Sequence, residues 1–182
     1  MHTFTLVFLT ALALTTLIQI WLATRHIRHI RAHQNTVPEK FSSQINLADH
    51  QKAADYTCAK TRTGYPGVVL QVALLLIFTL GGGLNALNSF WANWLGDPLA
   101  HGMALIISTF LLMGIAEVPL SYYRTFVIEE QYGFNKMTRA MFFTDLIKQS
   151  LLGLLLGAPL LFCVLWLMEK TGENWWLYAW LA

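Results

Sequence analysis

AHGMALIISTFLLMGIAEVPLSYY (100–123) runs directly into RTFVIEEQYGFNKMT (124–138), and the change of chemistry at that boundary decides the fold. As a helix, the first stretch rises about 36 Å, enough to cross a hydrocarbon core of about 30 Å. Inside lipid every backbone N–H and C=O must be satisfied within the segment, so such a run is read as a spanning helix. The second stretch is its opposite. It places Arg124, Glu129, Glu130, Gly133, Asn135 and Lys136 within thirteen positions, a density of charge and turn chemistry unlike ordinary polar filler. A specific structure is expected on one membrane face.

Three more runs share the apolar character of 100–123. Thr3–Thr24 carries no charge over 22 residues, Pro66–Asn88 carries none, and Ser150–Met168 is uncharged over 19. The 182 residues are 55% hydrophobic and only 12% charged, about half the charge of a soluble domain. The fold class expected is therefore an all-α polytopic membrane protein, with four full transmembrane helices (3–24, 66–88, 100–123, 150–168) and short helices outside them. After Glu173 and Asn174 comes WWLYAWLA, eight residues that rise only about 12 Å as a helix. It reads as the start of a fifth span at 175–182, and the chain as a fragment of a longer protein. The N-terminal MHTFT lacks the basic residues of a signal peptide, and the apolar run after it is too long for one, so an uncleaved anchor is expected.

Basic residues give the orientation. Of the 12 Lys and Arg, seven lie between Arg25 and Arg62 and four between Arg124 and Lys148, which are alternate loops. The positive-inside rule then places loops 25–65 and 124–149 in the cytoplasm and the N-terminus outside. The net charge of +2 marks topology and carries no nucleic-acid message. Trp21, Trp91, Trp94, Trp166, Trp175 and Trp176 fall near span ends, where indole rings prefer the headgroup level. Cys58 and Cys163 are separated by topology, and no disulfide is expected.

Several local features are legible. Val37-Pro38 breaks a first helix that runs on past Arg25, because a residue before proline avoids the helical region. Leu47–Arg62 reads as a short helix, with Gly64 and Pro66 as its stop signals. Asn135 or Thr138 is a suitable cap for another helix, to which Met137, Met141, Phe142, Leu146 and Ile147 give an apolar side.

Chemistry-bearing residues are few. Glu117 is the one acidic group deep in a predicted span, where insertion scales charge on the order of 2.5–3.5 kcal/mol. It should face a partner or water-filled space. Ser121 and Arg124 follow on the same helix face, and Pro119 frees the carbonyl of Ile115, which favours a kink. An inter-helix hydrogen bond would serve Glu117 equally well. His29 and His33 form H-x-x-x-H, but the spacing lacks the glutamate of H-E-x-x-H, and Arg28 and Arg31 interleave the histidines, so a basic juxtamembrane helix is the better reading. Gly153-x-x-x-Gly157 and the Gly81–Gly83 triple suit close helix packing. No phosphate loop, nucleophile triad or complete metal site is present in the sequence.

TFVIEEQYGFNKMT (Thr125–Thr138) resembles the integral-membrane zinc metallopeptidases of the CAAX prenyl protease 1 type. HQKAADYT (His50–Thr57) with AKTR (Ala59–Arg62) is similar to the first cytoplasmic segment of bacterial members. DLIK (Asp145–Lys148) and YAW (Tyr178–Trp180) follow in family order. The resemblance implies an N-terminal membrane region whose helices wall a water-filled chamber. It implies a C-terminal peptidase domain that holds zinc by H-E-x-x-H and a later glutamate, and peptide or membrane-protein substrates. It also points to a bacterial inner membrane. No family zinc ligand or catalytic base maps onto these 182 residues, so no cofactor is assigned to this chain, and zinc is expected in the missing catalytic domain. Arg124, Glu129, Glu130, Asn135 and Lys136 are expected to tie membrane helices to that domain, with Glu117 lining a cavity. The rival readings are a non-catalytic membrane scaffold and a transporter-type bundle with Glu117 on its pathway.

Overall fold

The computed structural model describes residues 3–172 and 175–181, with the side chains of Tyr178, Ala179 and Leu181 excepted. Glu173, Asn174 and the YAW side chains of the family-like C-terminal stretch therefore lie largely outside the described residues. Helix α1 spans Thr3–His33, α2 Leu47–Arg62, α3 Gly64–Thr79, α4 Gly83–Ala92, α5 Pro98–Tyr123, α6 Arg139–Thr171 and α7 Trp175–Leu181. A 3-10 turn at Glu39–Phe41 precedes α2, and a π-helical segment, Arg124–Glu129, extends α5. Among the described residues there is no strand. Among the described residues four stretches are long and apolar enough to cross a membrane: Thr3–His33, Leu47–Thr79, Pro98–Glu129 and Arg139–Thr171.

Two compact units make up the chain. The first comprises residues 1–75 and 117–136. Here α1 continues as a helix well past Arg25 and ends at His33, ahead of Val37-Pro38. Asn46 starts α2: its Oδ1 accepts from the Asp49 amide at 2.8 Å, and its Nδ2 donates to the Asp49 carboxylate at 2.8 Å. Helix α2 ends at Arg62, as expected, with Thr63 as its C-cap; Gly64 and Pro66 then occupy the first turn of α3, where the missing proline N–H is tolerated. The second span consequently begins in what reads as a polar loop. The unit's small core is Ile27 of α1, Ala54 and Cys58 of α2 and Ile128 of the π segment. Thr24 Oγ1 meets Tyr65 Oη at 3.0 Å, joining α1 to α3.

The second unit comprises residues 76–116 and 137–182. The apolar run expected as one span over 66–88 breaks here. The amides of Leu80 and Gly81 both turn onto the Leu76 carbonyl, at 2.9 and 2.8 Å, and Gly82 takes φ +80°. A Cβ on Gly81 or Gly83 would stand 2.8 or 2.9 Å from the Ile77 carbonyl oxygen. The glycine triple thus breaks the helix between α3 and α4: Gly82 takes a left-handed conformation that glycine enters freely, and Gly81 and Gly83 permit the close approach to Ile77. Helix α4 follows. His101 Nε2 meets the Asn88 carbonyl at 3.2 Å, and Trp91 Nε1 donates to Ser108 Oγ at 3.0 Å, tying α4 to α5. Asp97 caps α5 by accepting from the Ala100 amide at 2.8 Å.

Thr138, and not Asn135, caps α6: its hydroxyl accepts from the Met141 amide at 3.2 Å. The helix then runs 33 residues without a break, merging the expected juxtamembrane helix with the fourth span. Gly153 and Gly157 line an apolar cavity of about 360 Å³ beside Ile106 and Phe110 of α5. A Cβ on either glycine would meet nothing within 4 Å, so the motif leaves space open where close contact was expected.

Little apolar surface is hidden. Phe110, Leu155 and Leu160 remain about 70% exposed, and no described side chain is completely buried. A water-soluble fold could not carry that exposure. In a bilayer lipid tails are as apolar as leucine, so such faces carry no penalty.

Candidate functional site

The conspicuous stretch, over residues 121–136, folds onto α2 within the first unit. Its scaffold is the π segment, whose Ile128 is 9% exposed and packs into the same core as Ala54 and Cys58. Beyond it the chain closes a tight loop. The Glu129 carbonyl accepts two amides, Phe134 at 2.8 Å and Asn135 at 3.2 Å, and the Glu130 carbonyl accepts the Gly133 amide at 3.0 Å. Gly133 has φ +76°, which reverses the chain inside that loop. Asn135 Nδ2 donates to the Glu130 carboxylate at 2.8 Å, clasping the loop's two ends. So Glu129, Glu130 and Asn135 build the loop, Glu129 through its backbone. Lys136 is exposed at its exit.

The loop presents aromatic rings to α2. Tyr56 lies 4.7 Å from Phe134 and 5.5 Å from Tyr132 between ring centroids, tilted and edge-on respectively. Lys52 sits 5.6 Å over the Phe134 ring and Lys60 sits 5.7 Å over Tyr56. Edge-on aromatic pairs add about 0.5–1.5 kcal/mol beyond their buried area, and each exposed cation over a ring adds about 0.5–1. HQKAADYT is held in turn against the end of α1. His50 Nε2 lies 3.3 Å from the His33 carbonyl, and Gln51 Nε2 donates to Asn35 Oδ1 at 3.1 Å. Tyr56, Tyr132, Phe134, Lys52 and Lys60 did not stand out in the sequence. The available signal was that Tyr132 and Phe134 flank a loop glycine, one residue on each side.

Arg124 anchors the other end. Its Nη2 donates to the Thr63 carbonyl at 3.1 Å, at the interruption between α2 and α3. Pro66 offers no N–H to the Arg62 carbonyl, and the guanidinium braces the next carbonyl in the chain. Thr63 itself is 8% exposed, with its hydroxyl donating to the Lys60 carbonyl at 2.7 Å. The close approach depends on Gly67, where a Cβ would stand 3.0 Å from Arg124 Nη2 and 3.3 Å from Leu120 Cδ2.

Next to this brace is a polar cavity of about 160 Å³. Helix α5 contributes Glu117, Leu120 and Ser121, the π segment Arg124, and α3 Gly67, Leu70 and Gln71. Glu117 thus shares a hollow with Ser121 and Arg124, as the helical spacing suggested. Among the described residues the ion pair formed is Lys170–Glu169 at 3.6 Å, so Glu117 and Arg124 meet in the cavity without one. A carboxylate, a guanidinium, a hydroxyl and an amide there can bind water or donors and acceptors of a peptide.

The paired histidines of α1 are engaged with each other and with their own helix. His29 and His33 stack with ring centroids 4.3 Å apart, and His33 Nδ1 is 2.8 Å from the His29 carbonyl. Arg25 lies on the same helix face, and among the described residues no three His, Cys, Asp or Glu side chains gather as a metal-binding group.

A polytopic helical membrane domain with a knotted juxtamembrane platform is the class these features define. The comparisons give it a family. The profile described as "CAAX prenyl protease N-terminal, five membrane helices" matches residues 26–182, and the chain belongs to that family. It is 31% identical over 156 residues to a CAAX prenyl protease 1 homolog of Caenorhabditis elegans, covering 85% of this chain and 34% of that protein. It is 36% identical over 158 residues to a probable CAAX prenyl protease 1 of Schizosaccharomyces pombe, covering 79% of this chain and 33% of that protein. The crystal structure of S. mikatae Ste24p has the same fold, with a TM-score of 0.87 at 21% identity over 98% of this chain and 43% of that one. The chain spans about a third of the length of these curated relatives.

Proposed function

We propose that this chain is the N-terminal transmembrane domain of a zinc-dependent membrane metalloendopeptidase of the CAAX prenyl protease type. Its helices form part of the wall of an intramembrane chamber in which peptide bonds of membrane-protein or C-terminal peptide substrates are hydrolysed. The chemistry of cleavage belongs to a C-terminal peptidase domain of the same protein, which holds the zinc. The N-terminus is outside, loops 25–65 and 124–149 are cytoplasmic, and the membrane is a bacterial inner membrane.

One observation carries this reading. Two segments that carry the family resemblance, 50–62 and 125–138, meet through the rings of Tyr56, Tyr132 and Phe134. Eleven of the 12 Lys and Arg residues fall in the two segments assigned to the cytoplasm, which supports the orientation. A preformed platform with exposed Lys136 and a clasped Glu130–Asn135 pair suits docking of a soluble domain. In this role Arg124, Glu129, Glu130, Asn135 and Lys136 couple the spans to the peptidase, and Glu117 with its cavity belongs to the polar wall of the chamber.

The test uses the full-length protein with single-cysteine reporters at Gln131 and Asp97. Gln131 is expected to be labelled from the cytoplasmic side only and Asp97 from the outside only. Chelation is expected to abolish proteolysis, and Asn135→Ala to lower it without changing zinc content. Labelling of Gln131 from outside, or proteolysis indifferent to chelators, overturns the reading.

A further inference from the structure

Where α1 leaves its uncharged stretch, one face of the helix carries an open surface groove of about 360 Å³ that the peptidase reading does not use, lined by Leu22, Arg25, His26 and His29. These positions follow i, i+3, i+4 and i+7 spacing and so share one face. Ile27, buried at 8% exposure, lies about 150° round the helix from that face, so the groove opens away from the core. All four lining side chains are exposed.

The charge of this face is uncompensated. Thr3–His33 contains no Asp or Glu. Helix α2 packs against α1 and brings Asp49, His50, Lys52, Asp55, Lys60 and Arg62, yet none of these lines the groove. Asp49 is already bonded to Asn46. Arg25 is held back along the helix, with its guanidinium carbon 5.5 Å above the Trp21 ring. Cation and indole are thereby both kept at the edge of the apolar span, the depth at which Trp rings settle among lipid headgroups.

Polarity along the groove is ordered. Leu22 stands at its apolar end, Arg25 and His26 follow, and His29 lies about 10 Å further along the axis. That distance is comparable to the polar layer of one leaflet, about 5–8 Å. An amphipathic anion with its chain toward Leu22 and its phosphate toward Arg25, His26 and His29 matches both order and spacing. We infer that this face is a binding site for one anionic phospholipid, its headgroup phosphate held by Arg25 with the two imidazoles and its acyl chain lying along Leu22.

The test compares lipid retention by the full-length protein in native mass spectrometry, from detergent supplemented with phosphatidylglycerol or phosphatidylcholine. Phosphatidylglycerol is expected to be retained as a discrete single adduct and phosphatidylcholine to be weaker by about fivefold or more, the effect of roughly one basic contact. Arg25→Gln with His29→Gln should reduce the phosphatidylglycerol adduct at least fivefold. Arg31→Gln removes the same charge from another face of α1 and should leave the adduct within twofold. Circular dichroism of each variant checks that the helices persist. Equal loss in R31Q would mean diffuse attraction and overturn the site. So would equal retention of phosphatidylcholine, or displacement of the lipid by millimolar glycerol 1-phosphate, which would make the occupant a free phosphate.

Discussion

Replacing Gly67 by Ala tests the brace between Arg124 and Thr63 in a way no single deletion can. In an ordinary helix the change is favourable by about 0.8–1 kcal/mol. Here the new Cβ would stand 3.0 Å from Arg124 Nη2, tighter than normal contact, and 3.3 Å from Leu120 Cδ2. The guanidinium is the flexible partner, so it moves, and its bond to the Thr63 carbonyl is lost. A hydrogen bond with a charged donor contributes about 1.5–3 kcal/mol, and exposure of Arg124 brings this one to the bottom of that range or just below it, about 1–1.5. The two effects nearly cancel, so Gly67→Ala alone should change stability by no more than about 0.5 kcal/mol. With Arg124→Ala already in place there is no bond left to break, and the same change should stabilise by about 0.5–1 kcal/mol. The double-mutant cycle, read by denaturant unfolding of the full-length protein in detergent, should therefore give a coupling of about 1–1.5 kcal/mol. If Gly67→Ala has the same effect in both backgrounds within about 0.3 kcal/mol, the brace does not exist as described.

Gly81→Ala should destabilise by about 2 kcal/mol or more, since its Cβ meets a backbone carbonyl at 2.8 Å, while Gly96→Ala, with open space around it, should stay within about 0.5 kcal/mol in the same unfolding assay. Tyr56→Ala and Phe134→Ala should each loosen the loop, raising amide hydrogen exchange over residues 129–135, and their cycle should couple by about 0.5–1.5 kcal/mol. Additive effects of that pair would contradict the ring contact. Thr138→Ala should cost about 1 kcal/mol, with faster exchange confined to the first turn of α6, whereas Asn135→Ala should leave that turn protected and open the loop instead.

The membrane architecture was legible because spanning a bilayer leaves few options. Four apolar runs, one of them interrupted by Glu117, gave four membrane-length helices among the described residues, and α1 ended at His33, ahead of Val37-Pro38. Local rules failed where a residue type has two uses. Pro66 can stop a helix or sit in its first turn, and Gly81–Gly83 can pack helices together or break a helix. Resolving either needs the neighbouring carbonyls of Arg62 and Ile77, which no spacing reveals. The site was half legible. Glu117, Ser121 and Arg124 follow one helical face and do share a cavity, since periodicity is local. The partner of Arg124 is a backbone carbonyl 61 positions earlier, and carbonyls have no letter in a sequence. Tyr56 meets Phe134 across a comparable distance in the chain, so only the folded unit could pair them.

The π segment at Arg124–Glu129 has a consequence for how variants of this chain should be built. A helix wound one residue wider per turn behaves like an α-helix that has absorbed an inserted residue, and every side chain after it is swung by about 100°. Ile128, buried against α2, lies within that segment. Deleting one residue between Arg124 and Glu129 would preserve composition, charge and span length almost unchanged. It would nevertheless rotate the whole Gln131–Asn135 loop off α2, a change of phase to which hydropathy profiles are blind.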